Sequence, residues 1–138
     1  MRHFLGFALG CLLLAGTAQA DVIASVSIKD QTLTLYKDGI KKHVWPVSTA
    51  RRGKVTPKGE FKARFLSRYH KSSRYNNAPM PYSIFYSGHY AVHGTNQISK
   101  LGRPASAGCV RLHPDNAAIL FEMAKAEGLD NTHILIRD

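Results

Sequence analysis

From Val22 onward the chain alternates apolar and polar positions with a period of two. Val22, Ala24, Val26 and Ile28 are separated by more polar neighbours, and Leu33 and Leu35 sit between Thr32, Thr34 and Tyr36. That period predicts two strands with one buried face each. Asp38-Gly39 follows as a tight hairpin signal, because glycine takes a positive φ without a Cβ clash. A third strand is predicted through Val44, Trp45 and Val47, ending near Ser48-Thr49, with Pro46 marking an edge or a bulge. Phe61, Ala63 and Phe65 alternate with Lys62 and Arg64, which predicts another half-buried strand.

The pattern lapses between residues 67 and 81, which are polar and basic without a period and predict a long surface loop or lid. It returns at Ile84 to Tyr86 and at Tyr90 to Val92, around a turn at Ser87-Gly88. Near residues 114–127 the period changes to that of a helix. Pro114 suits its first turn, Asp115 suits the positive end of its dipole, and Ala117, Leu120, Phe121 and Ala124 recur on one face. Gly128 stops it, and Ile134 to Ile136 form a last strand. The sum is a mainly β, β-rich α+β domain: a sandwich or open barrel with one packed helix.

Residues 1–20 read differently. Arg2 starts a run that is apolar from Phe4 to Ala15, and Ala18-Gln19-Ala20 offers a small-x-small cleavage pattern before Asp21. The run falls short of the roughly 20 residues a membrane span needs. Cys11 lies within it and is followed by further apolar residues, which argues against lipidation. The expectation is a signal peptide over 1–20, one exported domain over 21–138, and a location in the periplasm or cell envelope. Loss of the leader removes Arg2 from the 19 Lys and Arg, so 18 would face 9 Asp and Glu, a formal charge of +9. Such a balance suits an anionic wall polymer or a membrane surface, and equally a soluble basic protein. Nucleic acid is disfavoured by export and by the lack of a basic helix or an aromatic-basic platform.

Cleavage would also leave Cys109 as the sole cysteine, so it has no partner for an internal disulfide. A buried thiol serving as a small apolar group is the plain alternative. The flanking Ser106-Ala107-Gly108 does not read as a core strand and favours a reactive thiol. A free thiol near neutral pH is only a few per cent thiolate and needs a base to become a nucleophile. His93, at the end of a predicted strand and sixteen positions earlier, is the candidate. His89 and His93 do not make a metal pair, since four strand residues place them roughly 13 Å apart, whereas zinc ligands lie at about 2 Å. His43, His70, His113 and His133 stand singly, and Gly53-Lys54 lacks the rest of a phosphate-binding loop.

The stretch His93-Gly94-Thr95 followed by Ser106-Ala107-Gly108-Cys109-Val110-Arg111 resembles the signature of the L,D-transpeptidase catalytic (YkuD-type) domain. Thr56-Pro57-Lys58-Gly59-Glu60-Phe61 is similar to the Thr-Pro-x-Gly-x-Phe turn of that family. The hairpin over 22–36, the Val47-Ser48-Thr49 ending and Met80-Pro81-Tyr82 also match, so the resemblance covers nearly all of residues 22–137. It implies that Cys109 is the nucleophile, His93 the base, and Gly94 the position whose carbonyl orients the imidazole. It further implies that Arg111, Ser106, Gly108, Tyr82 and Thr95 shape or contact the substrate site, with backbone N–H groups near Ser106 and Gly108 approaching an oxyanion. Arg111 could instead make a salt bridge under the loop. One departure is Ala107, where the family often carries His.

The implied reaction is acyl transfer on peptidoglycan tetrapeptide stems through a thioester, with release of D-Ala, by a monomer that needs no metal or organic cofactor. An amine acceptor would give a 3→3 cross-link and water would give an L,D-carboxypeptidase. A papain-like thiol hydrolase is disfavoured, because its cysteine precedes its histidine and opens a helix. A wall-binding module without catalysis is the alternative from another class.

Overall fold

In a computed structural model, which describes residues 21–138, nine strands form two sheets around one helix. The strands are β1 (Val22–Ser27), β2 (Thr32–Lys37), β3 (Ile40–Pro46), β4 (Gly59–Lys62) and β5 (Phe65–Lys71). They continue as β6 (Pro79–Ser87), β7 (Tyr90–Gly94), β8 (Val110–Leu112) and β9 (Thr132–Arg137), with the helix α1 at Pro114–Glu127. The signal-peptide reading lies outside the described residues.

The first sheet has the order β3-β2-β1-β9-β4, and the second β5-β6-β7-β8. β1 pairs antiparallel with β2 and parallel with β9, so Ala24 stands beside both Leu35 and Ile134, and Val26 beside Leu33 and Ile136. All six of these side chains are buried. The two-residue period seen from Val22 is therefore the inner face of a central strand. β3 is one edge of this sheet, and its pairing with β2 shifts register at Leu35/Tyr36.

The helix begins with Pro114 at its first turn, and the His113 ring accepts a hydrogen bond from the Asp115 N–H. It ends at Gly128, whose φ of 97° favours a residue without Cβ. Ala117, Leu120, Phe121 and Ala124 meet Ile84, Tyr86, Val92, Val110 and Leu112 of the second sheet in the same core that holds the inner face of the first. At about 25 cal/mol per Å² of apolar surface, such burial is the main favourable term in folding.

Two expectations change. Residues 67–81 are not a loop: most belong to β5 and β6, which pair with Ser67 opposite Ser83 and Lys71 opposite Pro79. β5 is an edge strand whose residues are all at least partly exposed, and Arg68, His70 and Lys71 occupy positions where a core strand would be apolar. Charge on an edge discourages pairing with another chain, and it erases the alternation. The strand expected through Phe61, Ala63 and Phe65 is also broken. Phe61 belongs to β4 and Phe65, 49% exposed, to β5, so the chain changes sheets between them.

Candidate active site

His93 lies on β7, and Cys109 immediately precedes β8, the parallel strand beside it. β7 and β8 are in register with Val92 beside Val110 and His93 beside Arg111. Val92, Val110 and Leu112 enter the core. The alternate positions, Ala91 and His93 on β7 with Arg111 on β8 and Cys109 at the residue leading into β8, therefore lie on the opposite side. His93, Cys109 and Arg111 line one cavity of about 190 Å³. The core thus fixes the site: the face that buries Val92 and Val110 obliges the thiol and the imidazole to project together.

His93 is 5% exposed, and its Nδ1 lies 2.6 Å from the Gly94 carbonyl oxygen. A carbonyl only accepts, so Nδ1 carries the hydrogen and Nε2 keeps its lone pair. Burial lowers the imidazole pKa from 6.5 to about 4, outweighing the Gly94 bond that opposes it; the Arg111 charge adds to the lowering. Burial likewise pushes the Cys109 thiol up, against the Ala91 backbone and the Arg111 and Arg74 charges, which favour thiolate. At rest the pair is neutral thiol and neutral imidazole.

Gly94 has no room for a side chain. A Cβ there would lie 3.1 Å from Pro114 Cα and 3.1 Å from Pro81 Cγ, both held by rings. Gly94→Ala is expected to cost about 1–3 kcal/mol and to tilt the carbonyl that holds His93. Urea unfolding and turnover should fall together, and an unchanged unfolding midpoint would contradict the packing argument.

The turn carrying the thiol is tied down by Ser106 and by Thr56. Ser106 Oγ donates to the Cys109 carbonyl at 2.6 Å and accepts from the Gly108 N–H at 3.0 Å. The Gly108 N–H is thereby engaged within the loop and does not point to an oxyanion, and the Ser106 hydroxyl acts on the shape of the turn. Gly108 has φ 142°, and a Cβ would meet Tyr90 Cε1 at 2.7 Å, so glycine is required there. Thr56 is buried, donates to the Gly108 carbonyl at 2.8 Å and accepts from the Ala50 N–H at 3.0 Å. Its role was invisible in its own neighbourhood, although the Thr-Pro-x-Gly-x-Phe turn had singled out its position. The backbone of Val47, Ser48, Thr49 and Arg51 bonds along Gly102, Ala105, Ser106 and Arg111, so the loop before the thiol is pinned.

Thr95 is buried and lines the cavity, and its hydroxyl accepts from the Gln97 N–H. Arg111 donates to Gln97 Oε1 at 3.1 Å and makes no salt bridge among the described residues, so the ion pair under the loop does not form. Tyr82 does not reach the cavity. Its φ of 56° reverses the alternation of β6, so Met80 lines the cavity while Tyr82 packs edge-on against Phe121 of the helix, under the Arg68 guanidinium. Among the cavity residues not foreseen as site residues are His89, whose carbonyl lies 3.7 Å from Cys109 Sγ, and Arg51 and Arg74. Arg74 comes from the β5–β6 tip, where Ser72 Oγ accepts from the N–H groups of Arg74 and Tyr75.

The profile of the L,D-transpeptidase catalytic domain matches residues 21–134. The candidate L,D-transpeptidase YkuD of Bacillus licheniformis is 28% identical over 109 residues, covering 74% of this chain and 61% of that protein. The chain thus spans about three fifths of that relative. An L,D-transpeptidase from Mycobacterium smegmatis superposes with a TM-score of 0.76 at 23% identity, over 86% of this chain and 59% of the other. The L,D-transpeptidase LdtMt1, solved in complex with imipenem, superposes at 0.73 with 25% identity over 83% and 58%. With two sheets and the packed helix α1 among the described residues, and a sequence match over nearly all of them, the chain belongs to the L,D-transpeptidase catalytic domain family.

Proposed function

We propose that the protein is a cysteine-dependent acyltransferase of peptidoglycan tetrapeptide stems, working as a monomer over residues 21–138. One observation carries the reading: His93 on β7 and Cys109 at the entry to the adjacent strand β8 open into the same cavity. His93 Nε2 takes the thiol proton as Cys109 Sγ attacks the carbonyl of the third residue's L-centre. The imidazolium gives that proton to the departing nitrogen of D-Ala, leaving a thioester and a neutral His93. An amine from a second stem then attacks the thioester, His93 receives the amine proton, and the thiol is restored with a 3→3 cross-link formed. No step needs a metal or an organic cofactor. The leader-like residues 1–20 and the basic balance support action in the periplasm or cell envelope, against anionic wall material.

The test is mass analysis of the mature domain incubated with a disaccharide-tetrapeptide. Loss of D-Ala with a dimeric product is the expected result. Loss of D-Ala without dimer makes water the acceptor, and retention of intact stem without turnover overturns the enzyme reading in favour of a binding module. Because a family member has been solved in complex with imipenem, a carbapenem is expected to leave a single covalent adduct on Cys109 and none on the Cys109→Ala variant, read by intact mass.

A further inference from the structure

The walls around the thiol are unequal in charge. Arg51, Arg74 and Arg111 line the cavity, and no Asp or Glu does. None of the three takes part in a salt bridge among the described residues, where the ion pairs lie on other faces. Their partners are neutral: Gln97 for Arg111, and the His89 ring, 3.4 Å away, for Arg74. Arg111 is half-buried, and burying a guanidinium without an anion is costly unless a ligand completes the pair. The charges also converge. Arg51 acts on Arg111, and both Arg111 and Arg74 act on Cys109.

They come from three separate parts of the fold. Arg111 is on β8, Arg51 lies on the segment whose N–H bonds to the Ser106 carbonyl, and Arg74 is on the tip of the β5–β6 hairpin. A solvated basic surface does not need such a gathering, whereas recognition of a carboxylate does, since a guanidinium fork matches its two oxygens.

We infer that Arg51, Arg74 and Arg111 form a carboxylate-reading rim, so that the acyl donor must present a free carboxylate beside the amide attacked by Cys109. This deepens the proposed function and rests on it for the identity of the donor. A stem whose third residue is a diamino diacid offers two carboxylates to such a rim. The one on the leaving D-Ala is three bonds from the attacked carbon, and the other ends the side chain of the third residue. Both are recognised by the same chemistry.

Two measurements separate the rim from the reaction. The first uses no stem: Cys109 is alkylated with iodoacetate and, separately, with iodoacetamide, and the rate ratio is compared with that of 2-mercaptoethanol. Attraction of the anionic reagent should raise the ratio at least about tenfold at low salt. It should fall towards that of the free thiol in Arg51→Gln, in Arg74→Gln and in 0.5 M NaCl, added on the order of a 4 Å screening length. Arg51 and Arg74 are exposed, so these variants keep the fold. A ratio equal to that of 2-mercaptoethanol overturns the inference whatever happens to stems.

The second compares the tetrapeptide with its C-terminal amide and with the form amidated on the third residue's side chain. Amidation at the recognised carboxylate should raise KM about tenfold or more with little change in kcat, and Arg74→Gln should add nothing further on that amide. Equal KM for all three peptides sinks the rim. A raised alkylation ratio with no stem turned over leaves the anion-reading cavity standing and removes the stem reaction instead.

Discussion

Cys109→Ala is expected to lower stem turnover by about 10⁴-fold or more, while the thermal midpoint stays within about 3 °C of the parent. The two halves have separate causes. Cys109 is half-buried and at the margin of the small Met80, Phe85 and Ala91 cluster, not in the main core, so losing one sulfur removes little packing. The proposed chemistry, by contrast, loses its nucleophile. His93→Gln should cost about 10²–10⁴-fold, the usual range for a general base. The double variant should be no slower than Cys109→Ala, because the two groups act as a unit. Since both are neutral at rest, alkylation of Cys109 by iodoacetamide should climb with pH and show no plateau in the acid range. A plateau below pH 6 would indicate a preformed thiolate–imidazolium pair and contradict the burial that shifts both groups. Full turnover by Cys109→Ala would end the mechanism.

What could be read along the chain depended on how local the cause was. The first hairpin and the last strand were legible because Val22, Ala24, Val26, Leu33, Leu35, Ile134 and Ile136 each bury one face of one strand. The helix was legible because its start and stop are chemical: proline at the first turn, glycine with positive φ at the end. The thiol and imidazole were legible for a different reason. Their neighbours Gly94, where a Cβ would crowd Pro114 and Pro81, and Gly108, where φ 142° and Tyr90 leave no room for one, are glycines that the motif carries in its sequence.

The missed features are products of assembly. β5 gave no apolar period because one edge of it is unpaired and both faces meet water along much of its length. The single positive φ at Tyr82 turned that side chain from the cavity to the helix, and no tyrosine announces such a conformation. The Thr56–Gly108 bond joins residues 52 apart. Arg74 read as one residue of the basic stretch 67–81 until the two sheets brought it and Arg51 to the same opening. Their roles exist only once the fold has closed.

The buried imidazole also makes stability depend on pH, in a direction its pKa fixes. The native His93 binds a proton with pKa about 4, against 6.5 unperturbed. Between those values the unfolded chain holds more protons than the native one, so stability falls as pH falls. The contribution is fully present above about pH 6.5, declines through the interval and is lost below about pH 4. At 1.36 kcal/mol per pH unit, the loss from this one group approaches about 3 kcal/mol, a large share of the roughly 5–15 kcal/mol that holds a domain together.

Carboxylates titrate in part of the same range, so the informative quantity is the difference between the parent and His93→Gln, whose side chain cannot take the proton. Urea unfolding from pH 7 to pH 4 should show the parent losing about 3 kcal/mol more than the variant. Parallel curves would mean that the imidazole is hydrated in the folded protein and can be charged at little cost. The cavity would then hold an imidazolium at mildly acid pH, and the neutral resting pair on which the order of proton transfer depends would not exist.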